Sequence, residues 1–160
     1  MNKDNPIRTW DRSSFHLGMI NCFIEMVASG VKKLALSPPL TTEEYRAISK
    51  ASDKIVDAFS IKSFLEKSLL TTNLQSEEFT SGKWNILYYE HNHILDTYFA
   101  LKEKKRQLID SGGYDSKAQK EISQEFMRLL SYSEEKITAI LARKEPSSPY
   151  LLIDDPSEQG

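Results

Sequence analysis

Between Gly30 and Lys67 the chain sets a short apolar run, a capped amphipathic segment and a second short run in strict succession, and this order constrains the fold more than any other feature. Residues 31–37 are closed off by Pro38 and Pro39, and residues 61–67 resume after the helical segment, so two strands flanking a crossover helix, a β-α-β unit, are predicted. The helix between them announces its start three times over. The prolines stop the strand, Thr41 and Glu44 stand at capping-box spacing, and Leu40 and Tyr45 stand at the spacing of a hydrophobic staple. Tyr45, Ile48, Ser52, Ile55 and Phe59 then make a stripe for burial, with Arg46, Lys50, Asp53 and Asp57 on the water side.

In units of this kind a ligand sits beyond the carboxyl ends of the strands, here at residues 37–42. The local chemistry argues against a nucleotide phosphate. Two prolines remove N–H donors, no glycine lets a phosphate approach the backbone, and Glu43 and Glu44 place negative charge in the first helical turn.

A chain of 160 residues, 39% hydrophobic and 28% charged, has enough apolar material to bury a core and belongs with folded rather than disordered sequences. Its 21 basic and 23 acidic residues leave a net charge of −2, which supplies no long-range attraction to nucleic acid or anionic lipid, so neither is expected as a partner. The single cysteine, Cys22, and an N-terminus without an apolar signal core point to the cytoplasm. The longest apolar stretch, residues 19–28, is broken by Asn21 and Glu25 and falls short of the roughly 20 residues that span a bilayer, so no membrane insertion is expected.

A first helix is predicted from Asp11 or Ser13 to Gly30. Phe15, Leu17, Met19, Ile20, Cys22, Phe23, Ile24, Met26 and Val27 point nearly all round its axis, which places this 15–28 helix at the centre of the fold or in an interface between copies. His16 falls in line with Ile20, Phe23 and Val27, so an imidazole sits on the apolar stripe. A structural imidazole held by a backbone carbonyl is the first reading, and a site role the second.

Residues 69–74 read as an extension of the second strand or a further short one, and residues 75–82 as a polar loop. Residues 84–90, rich in aromatic and β-branched types, predict a third strand antiparallel to the second; positions 84, 87, 91, 94, 98 and 101 also fit a helical period, the alternative there. A helix follows, with Asn92 as its cap, Ile94, Tyr98, Leu101 and Leu108 as its stripe, and Gly112-Gly113 as its stop. Ser116 with Gln119, and Ser131 with Glu134, stand at capping-box spacing ahead of two further helices carrying Ile122, Phe126 and Leu129, then Ile137, Ile140 and Leu141. The basic run 102–106 spreads round its helix as a solvated face. From residue 144 prolines and serines predict a tail, inside which residues 150–153 are apolar enough to dock on the body or on a partner chain. The expected architecture is therefore α/β (α+β): a small mixed three-stranded sheet around the β-α-β unit, packed by about five helices over residues 1–143, with a tail over 144–160; an all-α bundle is the alternative.

One cluster has chemistry to offer. Glu90-His91-Asn92-His93 stands where the third strand gives way to a helix. On an extended backbone His91 and His93 point to one side and can share a metal ion; on a helix they diverge by about 160° and cannot. A site needs a third ligand, for which Glu90, Asp96, His16 and Asp115 are candidates, and a solvated turn is the competing reading. No serine lies in a nucleophile-elbow setting, Cys22 has no activating base beside it in sequence, and catalytic residues are not identifiable. The functional expectation is a non-catalytic cytosolic module without a cofactor, binding a protein partner or a small ligand, or associating with itself, through the 15–28 helix or the 150–153 segment. The alternative is a small metal-dependent, hydrolase-like enzyme in which His91 and His93 hold a divalent metal and Glu90 or His16 moves a proton.

Overall fold

The computed structural model describes residues 11–74 and 80–143. Asp11 caps the first helix, its carboxylate accepting the Ser14 N–H at 3.2 Å, and α1 runs over Arg12–Ala28. Gly30 then takes a positive φ of 79°, the left-handed turn that ends a helix without cost to a residue lacking Cβ. Strand β1 (Leu34–Leu36), helix α2 (Thr42–Ala58) and strand β2 (Lys62–Glu66) follow in the expected order. The capping box of α2 is complete: Glu44 N–H donates to Thr41 Oγ1 at 3.2 Å and Thr41 N–H to Glu44 Oε2 at 2.8 Å.

Strand β3 (Asn85–Tyr89) confirms an extended backbone where a helix was the alternative, and so removes the all-α bundle. It lies in the middle of the sheet, in the order β1-β3-β2, antiparallel to both neighbours, with Leu34 opposite Tyr89 on one side and Lys62 opposite Tyr89 on the other. The fold class is as expected, but the sheet is antiparallel rather than mixed. β1 and β2 run in the same direction without touching, because β3 enters between them. The reason is burial: all five residues of β3 are buried, so only a central position covered on both faces suits it, whereas β1 has three residues and β2 is exposed at Lys62 and only half-buried through Leu65.

Alternate residues of β3 feed two cores. Ile86 and Tyr88 meet Ile20, Ile24 and Val27 of α1 and Ile48 and Val56 of α2 on one face. Leu87 and Tyr89 meet the other layer, built from α3 (Asn92–Asp110) and α4 (Ser116–Leu129), through Ile94, Tyr98, Leu101, Ile122 and Phe126. The last helix, α5 (Glu134–Leu141), closes on Met127 with Ile137 and Ile140. Residues 69–74 add no strand; they cross the second core as a loop, with Leu70 and Leu74 packed against it.

Three caps differ from their expected positions. Asp115, not Ser116, caps α4, accepting Ala118 N–H at 2.8 Å. Ser133, not Ser131, caps α5. Ser131 instead sits at φ 68° in the turn, and its Oγ accepts the Lys33 N–H at 2.9 Å, tying the start of β1 to the α4–α5 turn. The third is His91 in place of Asn92. The expected tail over 144–160, its apolar segment 150–153 included, lies outside the described residues. No helix among the described residues is long and apolar enough to cross a membrane.

Candidate functional site

The Glu90–His93 cluster sits where β3 leaves the sheet. Tyr89 is the last buried residue; Glu90, His91, Asn92 and His93 are all exposed. His91 holds an extended backbone (φ −106°, ψ 135°) and precedes α3 without a side-chain capping bond. Asn92 is the first helical residue, and its Oδ1 accepts from Lys62 Nζ at 2.7 Å, a bond that ties β2 to the helix start. The strand–helix boundary thus falls between the two histidines. Their rings lie 5.6 Å apart and nearly parallel, at 10°, so they face each other rather than turning nitrogens toward one point. Glu90 Oε2 stands 3.5 Å from His91 Nε2. Among the described residues no group of three or more His, Cys, Asp or Glu side chains gathers where it could hold a metal ion. Asp115 is engaged as the α4 cap, Asp96 is exposed on α3, and His16 is buried in the α1–α2 layer.

His16 is fully buried, as its place on the apolar stripe implies, but no carbonyl holds it. Neither ring nitrogen has a hydrogen-bond partner. Burial pushes its pKa below the ordinary histidine value, opposed by the Glu44 carboxylate and reinforced by Arg12. Those two residues form an ion pair at 2.9 Å that joins the N-terminal ends of α1 and α2.

A second buried polar group is not among the residues that the sequence motifs single out. Glu66, 6% exposed at the end of β2, accepts from Tyr98 Oη and Lys102 Nζ, each at 2.8 Å, and from Ser68 N–H at 2.8 Å. Tyr98 Oη accepts in turn from Leu70 N–H at 3.0 Å, and Lys102 Nζ also donates to Ser68 O at 2.7 Å. Every polar atom here has a partner, and burial raises the Tyr98 phenol well above its ordinary range. The network clamps the loop after β2 onto α3. A signal did exist: strand alternation sets Glu66 on the face of Phe64, so a carboxylate at an inward position demands a partner.

The third feature is α1 itself. Ile20, Ile24 and Val27 enter the core, while Phe15, Met19, Phe23 and Met26 are only half-buried and Cys22, among them, is exposed. The sequence places α1 at the centre of the fold or in an interface between copies; among the described residues it is covered on one side only. The protein matches no family model, no curated protein and no solved structure.

Proposed function

We propose that the protein is a non-catalytic, cytosolic binding module that pairs with a second copy of itself through the outward flank of α1. The observation that carries this reading is the asymmetry of that helix: Met19, Cys22 and Met26 recur at intervals of 3 and 4 on a side that, among the described residues, the core does not cover. Apolar residues grouped in this way on a surface favour a partner over water. The charges at its ends favour a second copy. Arg12, which also pairs with Glu44 of its own chain, stands at one end of α1 and Glu25 near the other, so two helices packed antiparallel about Gly18 and Met19 bring each Arg12 toward the other's Glu25. Gly18 has no atom within 4 Å of where a Cβ would stand, which leaves room for close approach. The lone cysteine suits a reducing compartment.

Sedimentation equilibrium of the full chain tests this. A dimer is expected, and a variant with both Met19→Glu and Met26→Glu should sediment as a monomer with an unchanged circular dichroism spectrum; a wild-type monomer at every concentration overturns the reading. A second reading, a small metal-dependent enzyme at Glu90, His91 and His93, is favoured by the closeness of these three exposed side chains. Its test is calorimetric titration of zinc into the full chain. Saturable binding with a Kd below ~1 µM, lost on replacing both histidines by alanine, supports it, and no binding ends it.

A further inference from the structure

A groove of about 250 Å³ opens between α3 and α4, lined by Lys33, Thr97, Leu101, Glu125, Arg128 and Leu129. It lies below the roughly 300–1,000 Å³ of ordinary small-molecule sites, so it suits one or two side chains better than a cofactor. Leu101 and Leu129 make it apolar, and its rim is charged. Arg128 is held by Glu134 through bonds of 2.7 and 3.1 Å, and Glu125 is paired with Lys104 at 2.8 Å. Lys33 is different: among the described residues its ammonium group has no ion-pair or hydrogen-bond partner. The groove is therefore an apolar slot with one unassigned cation at its edge.

The described chain ends beside it. Arg143 lies close enough to Tyr132 for its charge to act on the phenol, and the Tyr132 ring lies 5.7 Å from Lys32 Nζ. Lys32 Nζ donates to Leu130 O at 2.9 Å, next to the groove residues Lys33 and Leu129. Beyond Arg143 the sequence continues through six residues to Tyr150-Leu151-Leu152-Ile153 and then Asp154-Asp155. Seven residue steps reach up to about 23 Å when extended, ample for a site that begins two side chains away.

We propose that the segment 150–155 is the occupant of this groove, its leucines on Leu101 and Leu129 and its aspartates toward Lys33. Chemistry and sequence order agree: an apolar quartet followed at once by two acids meets an apolar slot edged by a free cation. The tail is thereby a strap across the α3–α4 layer, on the opposite face of the sheet from α1, and it stands or falls independently of pairing through α1.

Methyl-resolved NMR of the full-length protein tests it. Cross-relaxation between the Tyr150 ring and the methyls of Leu129 or Leu101 is expected, and Leu151→Asp with Leu152→Asp should abolish it and shift those two methyl signals. Lys33→Glu should weaken the contact, and Asp154→Lys with Asp155→Lys in that background should restore it. Absence of cross-relaxation with unshifted methyls in the tail variant overturns the proposal, as does contact of Tyr150 with α1 methyls instead. In a mixture of labelled and unlabelled chains, contact seen only between chains also overturns it.

Discussion

Glu66 and His16 are both polar side chains with almost no exposure, one in each core, and they are handled in opposite ways. Glu66 carries three hydrogen bonds from two side chains and a backbone N–H; His16 carries none. The difference lies in where each partner can come from. Glu66 ends a strand against α3, where Tyr98 and Lys102, four residues apart on one helix face, both reach it. His16 begins an apolar stripe and packs into a layer dominated by Ile and Val, where no donor or acceptor reaches its ring nitrogens. A buried polar group thus marks a well-determined junction in one core and a stored weakness in the other.

Breaking the partnered side should have the largest effect. Glu66→Ala leaves the Tyr98 O–H and the Ser68 N–H without an acceptor and removes the counter-charge of Lys102, which keeps only its bond to Ser68 O, and a loss of about 3 kcal/mol is expected; urea denaturation gives the value, and a loss within ~0.5 kcal/mol of zero would mean that the clamp is ornamental.

The partnerless side should respond with the opposite sign. His16→Leu removes a desolvated polar ring and should stabilise the fold by about 1–2 kcal/mol, most at acid pH. The sign follows from linkage: the folded-state pKa of His16 is depressed, so the unfolded chain binds more protons once pH falls below about 6.5, and native stability declines from there toward the folded-state value. Thermal melts between pH 7.5 and pH 5 should show a steeper decline for wild type than for His16→Leu. Parallel curves would mean that His16 is not the group responsible.

A single bond between the two extremes sharpens the scale. Ser52 Oγ and Tyr88 Oη are 2.8 Å apart in the α1–α2 core, and burial raises the Tyr88 phenol well above its ordinary range. Ser52→Ala leaves that hydroxyl without its partner and should cost about 1–2 kcal/mol, whereas Ser52→Ala combined with Tyr88→Phe should cost less than the sum of the two single changes. Chemical denaturation of the four proteins closes this cycle; strict additivity would contradict a direct bond.

Much of the architecture was legible in order and little in neighbourhood. The α2 start was readable because prolines, capping box and staple are all local, acting within a few residues. The caps of α4 and α5 moved because several adjacent residues could serve, and tertiary contacts chose: Ser131 was drawn to the Lys33 N–H, leaving Ser133 to cap. Glu90, His91 and His93 were correctly read as a strand-to-helix junction, yet the bond from Lys62 to Asn92 at that junction joins residues thirty apart, which no local pattern states.

By itself the sequence determined the succession of helices with two of the strands and the place of His16 on the apolar stripe, and it favoured an extended form over a helical one for residues 84–90, since periodicity and turn chemistry are properties of neighbouring residues. Only the tertiary structure decided that β3 would enter between β1 and β2, that Glu66 would meet a tyrosine and a lysine more than thirty residues on, and which side of α1 would face the core. Strand periodicity states which face a residue takes but not which strand lies beside it. That choice is made by burying the most apolar strand on both faces, an energy belonging to the assembled layers rather than to any segment of the chain.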